Sequence, residues 1–212
     1  MVLEMGEVTR ADGTVAQVDG LTDEDRTYIR ANFVTLDEAC RNRSEQPGDV
    51  RALMRDRKLP LPAYVLDDGT ELVAADYFAL VDDAGQVQSL HAHFVDRYRR
   101  AVASHGDGVA DVAVEEEWQG YLSGAYFVCL RCVTPEAVFR KGWLMTQIER
   151  LLADSRPDDP QWRARLTTFV DELDALEREF APYDRRRWGP VSRDRLITGV
   201  REQYGLDPRT AA

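Results

Sequence analysis

The residues that could do chemistry in this chain fall into three groups: cysteines and histidines, a helical set of carboxyl, phenol and amine groups, and a late run of arginines. Cys129-Leu130-Arg131-Cys132 is a CxxC motif. A zinc site needs about four ligands, and no second CxxC or histidine pair accompanies it. A redox-active CxxC belongs at a helix start, where open amides lower the thiol pKa. This one lies near a helix end inside an apolar run, so buried, inert thiols are the expected state and neither metal nor cofactor is expected. His91 and His93 are two residues apart, which on a helix turns their rings about 200° from each other, so they cannot share a metal. His93 is left as a lone general base. Glu117, Tyr121, Tyr126 and Lys141 are the other acid–base candidates. Gly120, Ser123 and Gly124 lie among them, and their small size either admits a neighbouring element or opens a cavity beside Tyr121 and Tyr126. Phosphate-binding glycine loops, HExxH and GxSxG are absent from the sequence.

The arginine run is the third group. Arg185, Arg186, Arg187, Arg193 and Arg195 follow Tyr183 closely in a chain whose net charge is -11. Such a run either ties helix ends together by ion pairs or binds an anion, since guanidinium groups grip carboxylate and phosphate in a fork. Tyr183, Arg187, Arg193 and Arg195, joined by Arg140, are the candidate ligand-binding residues. The implied partner is a small anionic molecule or an acidic protein.

Positioning these groups requires helices. Trp118, Tyr121, Leu122, Tyr126, Cys129 and Leu130 recur at steps of three and four, predicting one helix with Glu115, Glu116 and Glu117 in its first turn. Thr134-Pro135-Glu136 predicts the start of a second, burying Val138, Leu144 or Met145, Ile148, Leu151 and Leu152. Asp159-Pro160 predicts a third, running through Trp162, Leu166, Leu173 and Leu176 to Phe180, with Ala181-Pro182-Tyr183-Asp184 as its stop. Residues 185–190 then read as a basic loop, and Ser192 as the cap of a last helix through Leu196, Ile197, Val200 and Tyr204. Before the central pair, Leu90, Phe94, Tyr98 and Val102 mark a helix over 87–104, ended by Gly106-Asp107-Gly108. Further back, Thr22 and Thr35 each predict a helix start, with Asp25 and Glu38 three residues on. Ile29 and Phe33 mark the stripe of the first. Pro47 opens a short helix with Val50, Leu53 and Met54, and Tyr64–Leu66 pairs with Thr70–Val73 as a hairpin. Ala75–Leu80 reads as helical, and Asp82–Gly85 as a turn.

The expected fold is mainly α: a flexible leader (1–20), a small head with a short β-hairpin (21–80), a bundle-like helical domain (85–207) and a loose tail (208–212). The chain is long enough to bury a full core without disulfides or metals. Its three cysteines cannot all pair with one another, and with no signal peptide or apolar run of membrane-spanning length, a cytoplasmic protein free of the membrane is expected.

Thr35-Leu36-Asp37-Glu38-Ala39-Cys40, Val50–Met54, Arg57-Lys58-Leu59-Pro60 and Tyr64–Val73 resemble the winged helix-turn-helix of excisionase and MerR-type DNA-binding heads. The resemblance implies that Arg51, Arg55, Arg57 and Lys58 would face DNA. Asp49, Asp56, Asp67, Asp68 and Glu71 depart from that pattern and oppose phosphate contact, so nucleic acid is not expected as a partner. A second resemblance spans residues 20–205. Tyr121–Gly124, Cys129-Leu130, Val133–Glu136, Leu173–Glu177, Asp184-Arg185 and Val191–Arg195 look like a bacterial family of natural-product biosynthesis proteins. It implies a setting in small-molecule biosynthesis and carries no catalytic residues with it. The leading expectation is an accessory or ligand-binding protein. The alternatives are a metal-independent enzyme using a pocket in the helical domain and a ligand-responsive DNA-binding regulator.

Overall fold

The structure is a computed structural model that describes residues 20–105 and 111–206. The leader, the tail and the Gly106–Gly108 stop lie almost wholly outside the described residues. The fold is mainly α with one small sheet. In chain order come α1 (Asp23–Asn32), β1 (Val34–Thr35), α2 (Leu36–Cys40), α3 (Pro47–Arg55), β2 (Tyr64–Val65), β3 (Glu71–Val73) and α4 (Ala79–Ala84). Then follow α5 (Leu90–Ala103), α6 (Asp111–Leu122), α7 (Ala125–Cys129), α8 (Pro135–Ala153), α9 (Pro160–Leu176), α10 (Pro182–Trp188) and α11 (Gly199–Tyr204). Among the described residues no helix is long and apolar enough to cross a membrane.

Four of the helix caps written in the sequence are present. The Thr22 hydroxyl accepts the Asp25 N–H at 3.2 Å while the Asp25 carboxylate accepts the Thr22 N–H at 2.8 Å. Thr35 and Glu38 repeat the arrangement at the head of α2. Thr134 caps α8 through the Ala137 N–H, and Asp159 caps α9. Each such cap satisfies an amide that the first helical turn leaves open.

Phe33 is extended and buried after the end of α1, leading into a strand that the helical reading of this stretch passes over. That strand, β1, pairs antiparallel with β3 (Val34 opposite Val73), and β2 pairs with the other edge of β3, giving the order β1-β3-β2. Residues 75–78 form turns before α4, which takes in Asp82 to Ala84, and Gly85 closes it in the left-handed region at φ 77°. Residues on both sides of this turn enter one hydrophobic cluster. It joins Ile29, Leu36, Tyr64 and Leu72 to Phe94, Tyr121, Phe127 and Val138. A second cluster unites Leu144 and Ile148 of α8, Trp162, Leu166, Val170 and Leu173 of α9, and Leu196, Ile197 and Val200.

The helical part differs from the sequence reading at several points. The central helix is two helices, broken at Gly124, where φ is 79°. A Cβ there would stand 2.5 Å from the Leu61 carbonyl oxygen, so glycine admits the Leu61-Pro62 backbone, and the Leu61 N–H donates to the Leu122 carbonyl at 2.9 Å. With α6 beginning at Asp111, the glutamates fall in its second turn.

The third helix stops at Leu176, four residues early. Glu177 is extended and forms an antiparallel bridge with Leu130; the Arg131 N–H donates to the Leu176 carbonyl and the Arg178 N–H to the Cys129 carbonyl. These backbone bonds replace the helical ones that residues 177–180 would have made.

The stretch read as stop and basic loop is α10. Pro182 takes its first position and Asp184 accepts the Ala181 N–H at 3.1 Å, both features of a helix start. Ser192 is helical and caps nothing; its hydroxyl donates to Glu177 at 2.5 Å, and Arg193–Thr198 form a π-helical turn leading into α11.

Candidate functional site

α8 has a different neighbour on each side: α9 and α5 pack against it, and α6 with α7 approaches it across a gap. The gap is a cavity of about 410 Å³, within the range of small-molecule sites. Its walls come from Tyr98 of α5, Glu117 and Gly120 of α6, Ser123 and Tyr126 at the helix break, and Val138 to Arg150 of α8, including Phe139, Lys141, Gly142 and Trp143.

The local sequence explains this opening. Gly120 has no side chain to fill it, and a Cβ there would lie 2.9 Å from the Tyr126 ring. The break at Gly124 turns α7 so that this ring folds back over α6. The Tyr126 hydroxyl then donates to the Glu117 carboxylate. Burial pushes the Glu117 carboxyl above the usual range, against the lowering effects of the Tyr126 hydroxyl and of Lys141. Burial, reinforced by the Glu117 charge, pushes the Tyr126 phenol well above its ordinary value. On the α8 side, Gly142 leaves further room, since a Cβ added there would meet nothing within 4 Å.

Lys141 forms the deep wall and is 3% exposed. Its ammonium pairs at 2.9 Å with the fully buried Glu177 carboxylate, which also accepts the Ser192 hydroxyl. Burial by itself would lower the Lys141 pKa, but Cys129 and Glu177 outweigh it and the value is raised. Burial also raises the Cys129 thiol, so the thiol stays protonated and the carboxylate is the partner that matters at neutral pH.

The structure therefore brings Glu117, Tyr126 and Lys141 to one cavity and leaves the other acid–base candidates elsewhere. Tyr121 is wholly buried among Phe94, Trp118 and Phe127, and its hydroxyl has no partner among the described residues. His93 bonds Asp83 at 2.7 Å, while His91 turns to Glu115 at 3.0 Å. Cys129 is buried and Cys132 exposed. No group of three or more potential metal-ligating side chains occurs among the described residues.

The arginine candidates lie apart from the cavity. Arg193 bridges Asp174 and Glu179, both at 2.6 Å. Arg187 lies over the rings of Tyr183 and Trp188, and its burial lowers its pKa. The Tyr183 N–H donates to Asp25 at 2.8 Å, and Arg195 is exposed. Arg140 pairs with Glu172 and stacks on Trp143 at 4.4 Å.

Sequence reasoning missed Tyr98, Gly142, Glu177 and Ser192 as parts of this region. Glu177 had a signal: it falls four residues after Leu173, on the apolar stripe, where a charge must find a partner. Gly142 had one as well, as a glycine inside a helix with no turn to make.

Fold and site together define a mainly helical protein with a cavity of ligand size. Residues 90–205 match a family of unknown function (DUF6058), and the chain belongs to that family. No curated protein and no solved structure matches it. The matched region contains the whole cavity wall.

Proposed function

We propose that this protein binds a small molecule in the cavity between α6–α7 and α8, as an accessory or ligand-binding component of small-molecule biosynthesis. One observation carries the reading. A cavity of about 410 Å³ holds a half-buried carboxyl–phenol pair, Glu117 and Tyr126, against aromatic walls. A few polar groups in a largely apolar, preformed cavity are the usual make-up of a ligand site. The biosynthetic setting rests on the resemblance of residues 20–205 to natural-product biosynthesis proteins.

A second reading, a metal-independent enzyme in the same cavity, draws on the raised Glu117 carboxyl. A carboxyl moved toward neutrality by burial is suited to general acid–base work. Tyr126, whose pKa is raised further from neutrality, is not a base in that reading. Duplex DNA is the weaker alternative: Arg51 is held by Glu71 at 2.6 Å, and Lys58 stands 3.6 Å from Asp56.

The test uses Gly142→Phe, which places a ring in the cavity from a position with open space. Wild type and variant are incubated with a bacterial metabolite extract, desalted and weighed by native mass spectrometry. Wild type is expected to retain a small molecule that the folded variant does not. Retention by neither, or equally by both, would overturn the cavity reading.

A further inference from the structure

We propose that the cavity selects a protonated amine carried on a planar apolar body, with the Glu117 carboxylate as its counter-ion. This deepens the cavity reading and rests on it.

The argument is one of charge balance. Lys141 already faces the buried Glu177 at 2.9 Å, so those two charges answer each other. Glu117 forms no ion pair among the described residues; its one bond there is from the neutral Tyr126 hydroxyl. A carboxylate accepts several hydrogen bonds, so one phenol leaves most of its capacity open. Among the described residues the cavity thus presents a carboxylate with no ion-pair partner behind aromatic walls, with the exposed Arg150 guanidinium further along α8. An ammonium supplies the missing positive charge and donates hydrogen bonds to the carboxylate. The rings of Tyr98, Phe139 and Trp143, which line the cavity, then accept the flanking apolar body. A ligand carboxylate would instead add a second negative charge beside Glu117, and a neutral alcohol would leave its charge unanswered.

The state of Glu117 sets a pH dependence. Among the described residues the groups around it are Tyr126 from α7, Tyr98 from α5, Lys141 from α8 and Glu116 on its own helix. Arg150, further along α8, also lines the cavity and is exposed to solvent. Both tyrosines are pushed upward by burial and stay neutral. Lys141 stays charged and paired. Glu117, raised by burial, gains charge as pH rises from acid to neutral. Amine affinity therefore increases over that interval.

The experiment is calorimetric titration of the full chain with tryptamine and 2-phenylethylamine, and with 2-phenylethanol and 3-phenylpropionate as isosteric controls. At pH 7.5 the amines are expected to bind about tenfold or more tightly than the alcohol, and the acid most weakly. Glu117→Gln should remove the preference for the amines, and wild-type affinity for 2-phenylethylamine should fall between pH 7.5 and pH 5. The pH series needs no variant and so does not depend on the substitution folding. Equal binding of amine and alcohol, tightest binding of the acid, an undiminished preference in Glu117→Gln, or no binding of any probe at millimolar concentration would each overturn the amine assignment. A metabolite retained by wild type and lost in Gly142→Phe would still stand in those cases, separating failure of the ligand class from failure of the cavity.

Discussion

Lys141→Met is the perturbation that best tests the polar centre of the helical part. Methionine keeps the length and apolar stem of the lysine and removes its charge. Glu177 is then left fully buried with its carboxylate answered, among the described residues, by the Ser192 hydroxyl at 2.5 Å. Breaking a buried pair by removing one partner costs about 3–5 kcal/mol. At about 2–4 °C per kcal/mol for a chain of this size, the melting temperature should fall by roughly 6–20 °C. The double variant Lys141→Met/Glu177→Leu removes both charges, and such apolar replacements are often close to neutral. It should therefore recover most of the loss, with a coupling of about 2–4 kcal/mol in the double-mutant cycle. The backbone bridge between Leu130 and Glu177 does not depend on the side chain and should persist. Guanidinium unfolding of wild type, both single variants and the double variant at pH 7 measures the cycle. A cost below about 1 kcal/mol for Lys141→Met, or a double variant as unstable as the sum of the singles, would refute the pairing argument.

Gly124→Ala should destabilise by about 2–4 kcal/mol in the same assay, because the left-handed backbone and the Leu61 carbonyl at 2.5 Å both exclude a Cβ. Asp184, buried and pushed up to about 6, binds its proton more tightly folded than unfolded, so stability should decline as pH rises from 4 to 6. That decline amounts to about 2 kcal/mol over this interval, and Asp184→Asn should remove it. Arg193→Ala should cost about 1.5–3 kcal/mol through loss of its bonds to Asp174 and Glu179. The exposed Arg195→Ala should stay within about 0.5 kcal/mol of wild type by thermal melting.

Local rules made much of the helical framework legible. Thr22, Thr35, Thr134 and Asp159 cap the helices they precede, because a side-chain oxygen beside open amides acts within a few residues. The buried stripe Leu90, Phe94, Tyr98 and Val102 follows directly from helical period. The hairpin of β2 and β3 follows from its apolar runs around Asp67-Asp68-Gly69. In the candidate site, the sequence singled out Glu117, Tyr126 and Lys141 by residue type, and the small residues Gly120 and Ser123 by size.

Tertiary structure decided what those groups meet. Periodicity continues from Trp118 to Leu130 across Gly124, yet the helix breaks there because the backbone at residues 61–62 occupies the place of a Cβ. It continues again from Leu173 to Phe180, yet α9 ends at Leu176 because Leu130 offers Glu177 a backbone partner and Lys141 offers it a charge. Tyr121 and Tyr126 are both aromatic residues of the same apolar run, and only the turn at Gly124 sends one into the core and the other into the cavity. Propensity and period act over one or two turns of chain, whereas the Glu117–Tyr126 pair, the Lys141–Glu177 pair and the cavity depend on how separate segments close on one another.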